Sequence, residues 1–183
     1  MKLTLSFWRN AKPKQKRVYS VLLVLLVAVI VLVVGSSVPL SYSAAEALHG
    51  SLRQTLTQAI NNNDLVQSIY FNNLTLCLLM FLPLLGSGLG LFVLYNTGVG
   101  LNAISMVQGQ STLLGVLDLM AGPVFWLEFF AYSIAMAQSI WLFRRMLQGR
   151  WNELEWTGLS IVVSTVLLAV GAVVEAWQIT GHI

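Results

Sequence analysis

Long apolar runs separated by short polar breaks set the outline of this chain. From Leu65 to Leu117 there is no Asp, Glu, Lys, Arg or His. At about 1.5 Å of rise per residue, that stretch overshoots one crossing of a hydrocarbon layer about 30 Å thick. It fits two helical spans with a turn between them. An earlier run, Val21 to Val34, has no polar residue and anchors a first span over residues 18–40. Two later runs complete the count. The pattern predicts five spans, at 18–40, 65–85, 88–107, 119–143 and 157–178, with Gln108 to Leu117 as a connector. Gly86, Gly88 and Gly90 punctuate the chain between the second and third.

Between the first two spans the period changes. Leu48, Leu52, Leu56 and Ile60 recur every fourth residue in a polar-leaning stretch. This predicts a short amphipathic helix lying on the membrane surface. Asn61-Asn62-Asn63 ends it, and Asp64 with Gln67 resembles a capping box that opens the next helix. The expected organisation is a basic cytoplasmic arm (1–17), a first transmembrane helix (18–40), an extracytoplasmic amphipathic segment (41–64) and a four-helix membrane domain (65–183).

Composition supports this class. The chain is 57% apolar and 9% charged, with a mean hydropathy of +0.77. Soluble domains carry roughly 25% charged residues. The fold class expected is therefore an all-α integral membrane protein: five transmembrane helices plus the short extracytoplasmic amphipathic helix. The single cysteine, Cys77, excludes an internal disulfide and a multi-cysteine metal site, and reads as a small core residue.

Charge adds an orientation. Lys2, Arg9, Lys12, Lys14, Lys16 and Arg17 all precede the first apolar run, and Arg144, Arg145 and Arg150 follow the fourth span. Basic residues beside spans face anionic lipid on the cytoplasmic side. Lys12, Lys14, Lys16, Arg17, Arg144 and Arg145 are thus expected to contact lipid and fix orientation, and no nucleic-acid partner is expected. Five spans put both basic groups on the same side, whereas a single crossing by residues 65–117 would separate them. The expected location is the cell membrane, multi-pass, with the N-terminus cytoplasmic and the C-terminus extracytoplasmic. Trp8, Trp141, Trp151 and Trp156 then mark the inner interface and Trp177 the outer. The first run passes through Gly35-Ser36-Ser37 to Pro39 without an Ala-x-Ala site, so it reads as a retained span, not a cleaved signal.

Two spans have readable faces. On the fourth, Glu128, Ala131, Tyr132, Ala135 and Ser139 share one side at about 100° per residue. Phe129, Phe130, Ile134, Met136, Ile140 and Trp141 fall elsewhere, toward lipid or a partner. On the fifth, Thr157, Ser160, Ser164, Gly171 and Glu175 share a face. Small and polar stripes are where helices pack closely. The two spans are expected to pair antiparallel, bringing Glu128 and Glu175 together in the outer half of the membrane. Three readings of that pair stay open: protonated packing glue, a site for a partner's Arg or Lys, or a proton or cation site shared with Asp118 and His182. Asn72, Asn73, Asn96 and Asn102 are expected to hydrogen-bond between helices, and Gly86-x-x-x-Gly90 to permit close approach. His49 reads as solvated.

The order of these features from Gln67 to Glu175 resembles the stage II sporulation protein M family of membrane proteins. Asn72-Asn73 match the Asn residues that open its second span. Gly86 to Gly90 match its Gly-rich turn, and Asn96-Thr97-Gly98-Val99-Gly100 its Asn-Gly-x-x-Gly type segment. Pro123, Glu128 and Ala131 keep its spacing, and Glu175 closes the last span. The family often has His-Gly after the Pro, where this chain has Val124 and Phe125. The resemblance implies a helical scaffold that partners cell-wall-remodelling proteins in spore formers.

No Ser-His-Asp set, HExxH, CxxC or phosphate loop is present. The function expected is a non-catalytic multi-pass scaffold or accessory subunit of a larger membrane complex, with other integral membrane subunits as partners. No cofactor, metal or enzymatic activity is expected. The alternative is a small transporter or ion-conducting protein that uses the intramembrane carboxylates.

Overall fold

In the computed structural model, residues 10–149 and 153–181 are described. Among them are seven helices and no strand: α1 (Pro13–Ser36), α2 (Tyr42–Asn61), α3 (Leu65–Met80), α4 (Leu85–Val107), α5 (Thr112–Ala121), α6 (Pro123–Met146) and α7 (Glu153–Thr180). Three of them, α1, α4 and α7, are long and apolar enough to cross a membrane. That is what an all-α membrane protein requires. Helices α5 and α6 pass the same test only when joined, and they meet at 82°. Helix α3 is apolar but has 16 residues.

Local chemistry explains most boundaries. Pro13 opens α1 at a position where its missing N–H costs nothing. The Lys12 N–H is satisfied by the Gln15 side chain at 2.8 Å. Ser41 caps α2 by accepting from the Ala44 N–H at 3.3 Å. The capping box expected at Asp64 does not form. Its side chain makes no cap hydrogen bond, and its Oδ1 is buried without a partner among the described residues.

The break between α3 and α4 falls earlier than the glycines suggest. Pro83 cannot donate to a continuing helix. The Leu85 N–H bonds the Pro83 carbonyl at 2.8 Å around Leu84, whose φ of 69° and ψ of −51° make a rare γ-turn. Gly86, Gly88 and Gly90 therefore lie inside α4. The predicted connector at 108–117 is corrected too, because α5 begins at Thr112. Gly122 and Pro123 end it, and the indole N–H of Trp126 bridges the corner to the Met120 carbonyl at 2.9 Å.

Helix α6 is the central post, packed by α1, α3, α4, α5 and α7. Its buried residues occupy both of its predicted faces. Ala131, Tyr132, Ala135 and Ser139 are buried as the stripe requires, but so are Phe129 and Met136, which were expected to face outward. The core joins them to Leu32 of α1, Cys77 and Met80 of α3, Leu94 of α4 and Leu168 of α7. Glycine lets the outer helices approach. A Cβ on Gly98 of α4 would overlap the Leu32 carbonyl of α1, and one on Gly35 would overlap the Tyr95 carbonyl. Helix α2 buries only Ala45 and Ala59, leaving Leu52 and Leu56 exposed.

Candidate functional site

Two polar clusters stand out in this apolar bundle. The first lies between α3, α6 and α7. The Asn73 side-chain N–H donates to Glu128 Oε1 at 2.5 Å. Glu175, one turn beyond Gly171 on α7, lies near enough to act on Glu128 electrostatically. A Cβ on Gly171 of α7 would lie 3.9 Å from the Glu128 Cγ, an ordinary contact distance that places this turn of α7 against the carboxylate arm. One turn along, the Ser164 hydroxyl donates to the Ala131 carbonyl at 3.2 Å, and the Cys77 thiol points at the same oxygen from 3.9 Å. Tyr132 is buried beside them. The seam thus staples three helices, and it brings Asn73, Glu128, Ala131 and Glu175 of the expected set together.

Other expected residues sit elsewhere. Asp118 is exposed on α5, and among the described residues no three His, Cys, Asp or Glu side chains group as metal ligands. The four-residue cation site of Glu128, Glu175, Asp118 and His182 is therefore not assembled by the described residues. His182 lies outside them, as do Lys2, Trp8, Arg9, Arg150 and Trp151. Asn96 is exposed and donates to the Phe92 carbonyl of its own helix at 2.7 Å, so it does not join two helices. Asn102 does: it donates to the Val38 carbonyl at 2.7 Å and accepts from the Thr112 hydroxyl at 2.8 Å.

The glycines divide as well. Gly90 meets the Met136 sulfur of α6, and so marks a true helix crossing. Gly86 fits against the Met80 carbonyl within its own hairpin. Gly100 has ordinary space beside Leu52 of α2, with Leu52 Cδ1 3.6 Å from where its Cβ would be. Pro123 sets the α5–α6 corner and Ala135 lies in the core.

The second cluster was not foreseen. At one end of the bundle the Arg17 guanidinium grips Glu153 with both nitrogens, at 2.7 and 2.8 Å. Gln138 accepts from Arg17 at 3.1 Å and donates to Glu153 and Thr157 at 2.9 and 3.0 Å. Arg145 approaches Glu153 at 3.9 Å. Trp141 and Trp156 flank Arg17, with its guanidinium carbon 5.3 and 4.8 Å from their ring centroids. Within cation–π range, both rings favour the charge. Arg17 and Arg145, expected to face lipid, thus turn partly inward onto a 5% exposed carboxylate. Lys12, Lys14 and Arg144 are exposed, and Lys16 is half-buried. The missed residues are Gln138 and Glu153. Their signal was a polar side chain inside an apolar run and an acid beside an Arg-rich loop.

No family model matches the chain, nor does any curated protein or solved structure to which it was compared.

Proposed function

We propose that this chain is a non-catalytic membrane protein of five crossings that serves as a scaffold or accessory subunit of a larger membrane assembly. The crossings are α1, α3, α4, α6 and α7. What supports five is the contact between Arg17 at the start of α1 and Glu153 at the start of α7. The α6–α7 connection must then return to the side from which α1 departs, which needs an even number of crossings through α6. The polar load of α6 fits a helix largely shielded from lipid by its neighbours α1, α3, α4 and α7. The positive-inside rule makes the basic end cytoplasmic.

One observation carries the scaffold role: the intramembrane polar side chains are used as fasteners. Asn73 and Glu128 tie α3 to α6, Ser164 ties α7 to α6, and the Ser139 hydroxyl donates to the Leu82 carbonyl at 2.5 Å. Outside this rigid frame, Trp126, Phe130 and Ile140 of α6 are exposed. They offer bulky apolar surface to another membrane subunit. Kinship with the stage II sporulation protein M family belongs to the same proposal. Purification of the tagged chain from native membranes in mild detergent tests it. A second integral membrane chain should co-elute and be lost in Trp126→Ala with Ile140→Ala. A monodisperse monomer with no companion overturns the role.

The facing of Glu128 and Glu175 favours a second reading, a small proton or cation transporter. Glu128→Gln and Glu175→Gln would then abolish flux in proteoliposomes while the fold persists. No flux in the native protein removes that reading.

A further inference from the structure

Beside the Arg17–Glu153 cluster lie two adjoining cavities. One is a bowl of about 230 Å³ lined by Lys16, Arg17, Arg144, Arg145, Trp141 and Gln148. Four of its lining groups are cationic and none is acidic. Glu153, behind Arg17, offsets one charge and leaves the bowl strongly positive. The other is an open groove of about 460 Å³ between α1 and α7, floored by α6. Its walls include Val21, Leu22, Phe130, Ile134, Leu159 and Val163. Arg17 and Trp141 line both, so the groove and the bowl adjoin on either side of these two side chains.

The groove has a telling length. From Trp141 to Phe130 along α6 is about 16 Å at 1.5 Å per residue. That is roughly half of a hydrocarbon layer about 30 Å thick, or one leaflet. A partner's transmembrane helix would need an apolar face twice as long. An acyl chain whose headgroup sits at the basic end would need this much and no more.

We propose that the bowl and groove together form a binding site for one anionic phospholipid of the cytoplasmic leaflet. Its phosphate sits among Lys16, Arg144 and Arg145, and one acyl chain lies in the groove between α1 and α7. Arg17 is held by Glu153, Gln138 and the two tryptophans, so it is a fixed rim of the bowl. Lys16 and Arg144 have no acidic partner in the described structure and supply free charge. The site rests on the reading of the chain as a membrane protein with its basic end inward, but not on the scaffold role.

The test is native mass spectrometry of the purified full chain in neutral detergent. It is titrated with phosphatidylglycerol, with phosphatidylcholine of the same chains, and separately with inorganic phosphate. One phosphatidylglycerol should be retained per chain, about tenfold or more in preference to phosphatidylcholine. Lys16→Ala with Arg144→Ala should abolish the preference, since they remove two cationic groups of the bowl and neither pairs with Glu153. Ser160→Phe, which fills the groove from α7, should weaken retention of both lipids, and inorganic phosphate should not displace phosphatidylglycerol. Equal retention of the two lipids overturns the site. So does displacement by inorganic phosphate alone, which would make the bowl a phosphate pocket. So does a Ser160→Phe variant that keeps its lipid but sheds a co-purifying chain, which would assign the groove to a partner helix. The readout needs no partner, so failure to find a companion subunit leaves this result standing.

Discussion

Gly98→Ala is the sharpest test of the packing between α1 and α4. A methyl group there would overlap the Leu32 carbonyl and come 2.7 Å from the Ser36 nitrogen and 3.0 Å from the Gly35 carbonyl carbon. All three are backbone atoms of α1, so no side chain can swing aside and the helices must part. Two effects oppose one another. Ala in a helix interior is favoured over Gly by about 1 kcal/mol. Overpacking costs about 1–3 kcal/mol, and the immovable backbone places this site at the upper end. The net expectation is a loss of about 1–2 kcal/mol. Gly100→Ala is the control two residues away, with only Leu52 Cδ1 nearby at 3.6 Å. There the propensity gain stands alone, and stability should hold or rise by up to about 1 kcal/mol. Equilibrium unfolding in mixed micelles with increasing SDS reads both. Gly98→Ala and Gly35→Ala should also be sub-additive, because either one already separates the helices. If Gly98→Ala proves as stable as Gly100→Ala, the close approach is wrong.

Three further outcomes follow from the polar clusters. Asn73→Leu strips the hydrogen bond from Glu128 and should cost about 1–3 kcal/mol in the same unfolding assay. Glu128→Leu added to it should recover part of the loss, whereas strict additivity would show that the two side chains do not meet. Arg17→Gln leaves Glu153 buried without its main cation and should cost about 2–4 kcal/mol; adding Glu153→Gln should restore much of that. Arg17→Lys should not rescue, since it loses both the two-nitrogen grip and the stacking on Trp141 and Trp156, and a fully stable lysine variant would refute that geometry. Trp126→Phe removes the bond to the Met120 carbonyl and should loosen the α5–α6 corner, read as a broadened distance between spin labels on the two helices.

The apolar helices and the amphipathic α2 were legible because hydropathy and period act locally. The exact breaks were not, although their cause is written in the chain. Gly86, Gly88 and Gly90 look like punctuation by the rules of water-soluble proteins. In a membrane-type helix glycine is tolerated inside, and Pro83 alone made the stop. Pro123 likewise marked the start of α6, and a reading that ran the span from Leu119 passed over it. The Glu128–Glu175 pairing needed only helical spacing and an antiparallel neighbour, so it could be drawn from sequence. The Arg17–Glu153 grip joins residues 136 positions apart, and nothing local announces it.

The misplacement of Phe129 and Met136 has a more general cause. A helical wheel assigns one face to the protein and the other to lipid. That division fails for a helix that five others pack against, with little beyond Trp126, Phe130 and Ile140 left exposed along its middle. Helix α6 is such a helix, and its composition follows from its place. It can hold Glu128, Gln138 and Ser139 because α1, α3, α7 and the turn between α3 and α4 supply partners for them, while the buried Ser133 hydroxyl has no partner among the described residues. Asn73 and Ser164 meet its upper polar atoms, Leu82 accepts from Ser139, and Arg17, Glu153 and Thr157 complete Gln138. Low hydropathy in α6 is therefore the mark of the bundle's centre. The apolar α1 and α7, which flank it, carry much of the exposed apolar surface, and between them α6 forms the floor of the groove.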